Sequence, residues 1–204
     1  ANDMGFDVFY GYNCQRKAHS YYPEYLWNNK TKERQNGRYS QDAIHEHAMK
    51  FIEDNKDKAF FGYFTYTIPH AERRQPQDSI VDMYKGKFQE PKPWYSDGDY
   101  GTATDPRTQF AAMITRLDTY VGQIIDKLEE LGIAEKTLFI FTSDNGPHNE
   151  GGADPTFFNT EERLRGLKRA LYEGGMRVPY IAYWPGTIQP GSITDLMAAG
   201  WDMM

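Results

Sequence analysis

Three short runs place groups capable of chemistry within this chain. Ser143-Asp144-Asn145-Gly146-Pro147-His148 offers a carboxylate at Asp144 and a side-chain carbonyl at Asn145. These are hard oxygens, suited to calcium or magnesium rather than to a soft metal. Calcium takes roughly six to eight ligands, so a pair would need partners from elsewhere. The same residues are also good turn formers and on their own read as a plain turn. His70, in Ile68-Pro69-His70, could act as a general acid or an anion contact, or be a satisfied loop residue. Lys168 sits in Leu164-Arg165-Gly166-Leu167-Lys168, ahead of Tyr172-Glu173-Gly174-Gly175. It could hold an anionic group as a point charge, or be an ordinary solvated lysine.

Other constellations fail. His45-Glu46-His47 resembles a metal motif, but residues two apart lie on nearly opposite faces of a helix, and a zinc metalloprotease needs its histidines about four apart. Neither a phosphate-binding Walker pattern nor Gly-x-Gly-x-x-Gly occurs, and Cys14 lacks the setting of a nucleophile. The net charge of −6 carries no basic surplus, which argues against a nucleic-acid partner. No apolar run is long enough to suggest a membrane span. The single cysteine excludes an intrachain disulfide. Ala1-Asn2-Asp3 does not read as a secretory leader, and both ends look cut.

The elements that must position these groups follow from periodicity. Residues 5–39 are aromatic-rich without a period and read as an irregular wrapping segment. Ser40 reads as the N-cap of a helix to about residue 55, with Ala43, Ile44, Met49, Phe51 and Ile52 as its apolar positions. The continuous apolar run 59–66 reads as a strand covered on both faces, ending toward His70. Residues 71–104 are a long polar excursion, of a length that is usually functional or mobile. Residues 105–131 carry Phe110, Met113, Ile114, Leu117, Val121, Ile124, Leu128 and Leu131 on one helical stripe, with Gly132 as the stop. Residues 137–142 predict a second buried strand, running out into Asp144-Asn145, and 178–184 a third. A helix is expected from Thr194 onward. This alternation argues for an α/β sandwich around a mainly parallel sheet, with ligands at the carboxyl ends of its strands.

In this order the motifs resemble the sulfatase family. Phe60-Phe61-Gly62-Tyr63-Phe64 leading to Pro69-His70-Ala71 is similar to the segment presenting a substrate-binding histidine. Leu117-Asp118 and Val121-Gly122, then residues 137–146, resemble the second metal-ligand segment. Arg165-Gly166-Leu167-Lys168 with residues 172–179, followed by Trp184-Pro185-Gly186, resembles the active-site lysine segment. The opening residues 11–19 are similar to a bacterial arylsulfatase or carbohydrate-sulfatase branch.

The resemblance implies an alkaline-phosphatase-like α/β/α sandwich, incomplete at both ends. Residues 1–204 would be part of a single catalytic domain lacking its N-terminal nucleophile segment and its C-terminal subdomain. It implies calcium held in part by Asp144 and Asn145, with His70 and Lys168 binding sulfate and stabilising charge on the bridging oxygen. His19 and His148 would line the substrate pocket, a structural role being the open alternative. The nucleophile, a formylglycine made from a Cys-x-Pro/Ala-x-Arg motif, is not in this chain and is expected upstream. Cys14-Gln15-Arg16-Lys17-Ala18 departs from that motif, so the piece alone should be inactive. Arg73-Arg74 is more basic than the family pattern and could alter substrate contacts. The implied substrate is a sulfated small molecule or glycan, and the implied location periplasmic or secreted. A phosphoesterase or phosphonate hydrolase of the same superfamily, or a non-catalytic carbohydrate-binding protein, are the alternatives.

Overall fold

The structure is a computed structural model that describes residues 1–96, 98, 100–159 and 164–203. Two helices form its spine. Helix α1 (Ser40–Asn55) buries Ala43, Ala48 and Ile52. Its N-cap is Tyr39, not Ser40, and no side chain caps it, because the Ser40 hydroxyl is engaged by Gln41 Nε2 at 3.2 Å instead. After the short helix α2 (Ser79–Asp82), capped by Asp78, comes α3 (Pro106–Glu130). Proline at its first position and Asp105 before it start this helix; Gly132, at φ 69°, lies just past its Leu131 cap. The expected stripe is correct except at Ile114, which is exposed. Tyr120 and Arg116 are buried on α3 in addition.

Ile52, Ile124, Leu128 and Ala134 form one core between the helices, with Phe60, Phe64 and Tyr66 packed against it. Tyr21, Tyr39, Ile68, Met113 and Tyr120 form another, closer to His70. Residues 59–66 are extended but join no ladder among the described residues, and they are not covered on both faces. Alternate side chains point opposite ways, so Phe60, Phe64 and Tyr66 meet the helices while Phe61 and Tyr63 stay 73% and 70% exposed.

Residues 5–39 are more regular than their composition predicts. Strands β1 (Tyr10–Gly11), β2 (Tyr25–Asn28) and β3 (Thr31–Arg34) make an antiparallel sheet in that order. Asn28 pairs with Thr31, so only Asn29 and Lys30 form the turn, and Asn29 takes φ 52°. Asparagine tolerates that left-handed region, which permits a two-residue hairpin.

Strand β4 (Phe139–Thr142) pairs with β5 (Tyr180–Tyr183), Phe139 opposite Tyr183. This ladder is antiparallel too, so among the described residues none of the expected parallel pairing occurs. Parallel neighbours need a long crossover, usually helical. The only helix between β4 and β5 among the described residues is the single turn α4 (Glu173–Met176). Neither strand is fully covered: Thr142 of β4 and Tyr180 and Ile181 of β5 are exposed. Among the described residues the helix expected from Thr194 does not form. Ile193, Leu196 and Met197 are exposed in irregular chain before a 3₁₀ turn at Gly200–Met203, since an apolar stripe with nothing to pack against does not repay helix nucleation. Met204, into which that expected helix runs, lies outside the described residues.

Candidate functional site

Three loops meet beyond the carboxyl end of β4, and backbone contact fastens them. Gly146 N donates to Gly175 O at 3.0 Å, Lys168 N to Pro147 O at 2.8 Å, and Gly174 N to Arg165 O at 2.8 Å. A Cβ on Gly146 would collide with the Gly174 carbonyl, and one on Gly174 with that of Gly166. Only glycine allows backbones to approach this closely, so these glycines locate Lys168 against the run after β4.

The loop bearing His70 is joined to the same run by Arg73. Its buried guanidinium donates from Nε to Gly151 O at 3.1 Å and from Nη2 to Glu150 O at 3.4 Å, and it lies 5.1 Å from the Phe110 ring. Burial pulls its pKa down to about 10, so it is still a cation at neutral pH. Arg74 turns instead to the fully buried Glu72, with Nε–Oε1 at 3.0 Å and Nη2–Oε2 at 2.7 Å. Both arginines thus make contacts that hold the loops, Arg73 to the run after β4 and Arg74 to Glu72, while the Arg74 side chain stays half exposed.

The result is a cluster of rings and one ammonium. Lys168 Nζ lies 3.2 Å from His70 Nε2. The His70 ring centroid is 5.7 Å from that of His19, 5.5 Å from His148 and 5.8 Å from Tyr100. Burial first, then the positive charge of Lys168, drives the His70 pKa down to about 4; burial and then Arg73 lower that of His148. Both rings are therefore neutral at neutral pH. An ammonium has only donors, so His70 Nε2 must accept and its proton sits on Nδ1. That Nδ1, and Nδ1 of His19, are buried without a hydrogen-bond partner. His148 is better satisfied: Nδ1 accepts from Glu150 N at 3.1 Å and Nε2 faces Pro69 O at 3.4 Å. Glu150 is itself paired with Arg169, whose contact holds its carboxyl below the usual range. A fixed cation beside polar ring atoms that lack partners is an arrangement for receiving an anion.

Asp144 and Asn145 occupy the exposed end of β4. Asn145 Nδ2 donates to Gly146 O at 2.9 Å, which leaves Oδ1 open as an acceptor. Both groups thus suit a hard cation in kind. In number they do not complete a site: among the described residues no group of three or more His, Cys, Asp or Glu could hold a metal. The structure brings His19, His70, His148 and Lys168 together and ties Asp144-Asn145 to them through Gly146 and Pro147. His45 and His47 go elsewhere, as their spacing required: His45 faces the helix core and His47 stacks on Tyr10 at 3.4 Å. Sequence reasoning missed Tyr100 and Glu72, which carry no motif of their own, and it noted Arg73 for its charge without foreseeing that it fastens the loops.

The family model for sulfatases matches residues 1–199. An arylsulfatase of Hemicentrotus pulcherrimus is 34% identical over 74% of this chain and 23% of its own length. The N-acetylgalactosamine-6-sulfatase of Canis lupus familiaris is 30% identical over 90% of this chain and 30% of its own. Among solved structures, Ps i-CgsB in complex with k-i-k-neocarrahexaose superposes with a TM-score of 0.67 at 24% identity, covering 91% of this chain and 41% of that one. BT4656 in complex with its substrate D-glucosamine-2-N,6-O-disulfate gives 0.67 at 18%, covering 92% and 51%. These likenesses give the chain the expected alkaline-phosphatase-like fold. The chain spans less than a third of the length of the two curated relatives named.

Proposed function

The chain belongs to the sulfatase family, and from that premise we propose that it supplies the sulfate-holding part of an enzyme that hydrolyses sulfate esters. The observation that carries the proposal is Lys168 Nζ at 3.2 Å from His70 Nε2, with the unpartnered Nδ1 atoms of His70 and His19 close by. In this reading a sulfate ester, itself an anion, enters beside the Lys168 ammonium. Its charge opposes the positive charges that hold the His70 pKa down, so the ring more readily takes up a proton. As the S–O bond to the leaving group breaks, negative charge grows on the bridging oxygen. Donors already placed there, Lys168 and His70, then act more strongly than in water, because the site is partly closed to solvent.

His19 and His148 line the sulfate-bearing end of the substrate. Asp144 and Asn145 would hold calcium through their side-chain oxygens, and the ion, when bound, would polarise sulfate oxygens. No residue of this chain is assigned as the nucleophile; a formylglycine elsewhere in the complete protein is part of the proposal. A sulfated glycan or aryl sulfate is the proposed substrate class, in keeping with relatives named for N-acetylgalactosamine 6-sulfate and for aryl sulfates. Export is proposed as well; among the described residues no helix is long and apolar enough to cross a membrane.

The test is hydrolysis by the complete protein of 4-nitrophenyl sulfate and N-acetylgalactosamine 6-sulfate, with 4-nitrophenyl phosphate as control. Turnover of a sulfate ester that calcium chelation abolishes is expected. Phosphate turned over faster than both sulfate esters would overturn the reading.

A further inference from the structure

Tyr100 belongs to no motif, yet the fold holds it beside His19 and His70. It lies near the end of the polar excursion 71–104, and three fastenings place it there. Trp94 and Ala103 close the base of its loop with two backbone bonds, Trp94 N to Ala103 O at 3.0 Å and Ala103 N to Trp94 O at 2.9 Å. The next residue, Gly101, donates its N–H to Glu72 Oε2 at 3.2 Å, and a Cβ there would collide with the Arg74 side chain. Glu72 is fully buried and lies two residues beyond His70. Trp94 in turn packs on Gly152, so the excursion is braced against the run that follows β4.

This is an expensive arrangement for a surface loop. It buries a carboxylate, uses an arginine and brings the Arg74 side chain close against Gly101. What it holds in place is a ring: the Tyr100 centroid is 4.8 Å from His19, 5.8 Å from His70 and 6.3 Å from Trp94. Tyr100 is only half-buried where its ring lies beside His19 and His70.

We propose that Tyr100 is a specificity-determining residue, whose ring face receives the ring of the group that carries the sulfate ester. An aromatic face packs well on the apolar face of a pyranose or aryl ring, and a tyrosine loses little rotamer freedom in doing so. Lys168 and His70 hold the charged end of the substrate, and Tyr100 holds the uncharged one. The inference rests on the sulfate-ester reading and adds the wall that selects the leaving group.

The test uses the complete protein with Tyr100→Ala and Tyr100→Phe. For 4-nitrophenyl sulfate and N-acetylgalactosamine 6-sulfate, Tyr100→Ala is expected to raise KM roughly three- to tenfold. The inhibition constant of inorganic sulfate, which has no ring, should stay within about twofold, and Tyr100→Phe should behave as wild type. An unchanged KM in Tyr100→Ala overturns the inference. So does a sulfate constant that weakens in parallel, since Tyr100 would then act by positioning the histidines. A Tyr100→Phe defect equal to that of alanine also overturns it, because the contact would then be made by the hydroxyl. Wild-type protein that cleaves no sulfate ester removes the sulfatase reading and this inference with it, whereas active protein with an unaffected variant removes the inference alone.

Discussion

His45 and His70 are the same residue type in two sites of opposite logic. His45, on α1, has both ring nitrogens bonded at 2.7 Å, one to Tyr66 Oη and the other to Gln123 Oε1. Its ring stacks on Tyr120 at 4.3 Å, and burial lowers its pKa. His70 is also pushed toward the neutral form by burial, but one of its nitrogens has no partner and the other faces an ammonium. A histidine with every polar atom satisfied rigidifies a core, whereas one with an atom left over is set for something that arrives later. Burial alone does not separate the two. The hydrogen-bond inventory does.

Substitutions can break this contrast. The largest effect is expected at the open site: Lys168→Ala in the complete protein should lower sulfate-ester turnover by about a hundred- to a thousandfold, the scale of losing one donor to a developing charge. Steady-state kinetics check this, and near-normal turnover would remove the assigned role. At the saturated site the expectation is reversed. His45→Ala removes the partner of the part-buried Tyr66 hydroxyl and the stacking on Tyr120, at a cost of about 1–3 kcal/mol, and should lower Tm by several degrees. Turnover should hold within about threefold at a temperature where the protein is folded. If turnover instead collapses with the fold intact, His45 belongs to the chemistry and the contrast fails.

Acidification probes both sites together, since His45, His70 and His148 all have pKa values below the ordinary 6.5. Above 6.5 the rings are neutral whether the chain is folded or not, and they contribute no pH dependence. Below it the unfolded chain binds protons that the folded one does not, so stability falls as pH drops from 6.5 toward the folded value, about 4 for His70. Urea midpoints measured across that window should decline, and the decline should be shallower in His45→Ala. Equal slopes would mean that His45 is not held neutral by its surroundings. The smallest effect concerns Asp144-Asn145. Isothermal titration of residues 1–204 with calcium should give binding weaker than about micromolar, as two ligands supply too few oxygens. Micromolar or tighter binding would mean that the fold recruits more.

Much of this was legible beforehand. The stripe on α3 predicts both its limits and most of its buried face, because a long amphipathic helix writes its period directly into the sequence. The two-residue offset of His45 and His47 forecasts their separation for the same reason. Residues 59–66 show the limit. Their apolar run has the length and composition of a doubly covered strand, but coverage depends on what lies opposite, and here Phe61 and Tyr63 meet solvent. Pairing direction was equally out of reach, since β4 and β5 meet through a long connection of turns and glycines whose path no local pattern describes.

The sequence by itself determined which groups could do chemistry. Asp144-Asn145 supplies oxygens and Lys168 a fixed cation, flanked by glycines. Residue type sets ionic character and donor capacity, and neither needs a fold. Only the tertiary structure decided that Lys168 meets His70, that Arg73 and Glu72 fasten the loops, and that Tyr100 stands beside His19. Those contacts join residues up to 98 positions apart, and they exist because glycine backbones pack and buried charges must be satisfied, which are properties of neighbours in space rather than in sequence.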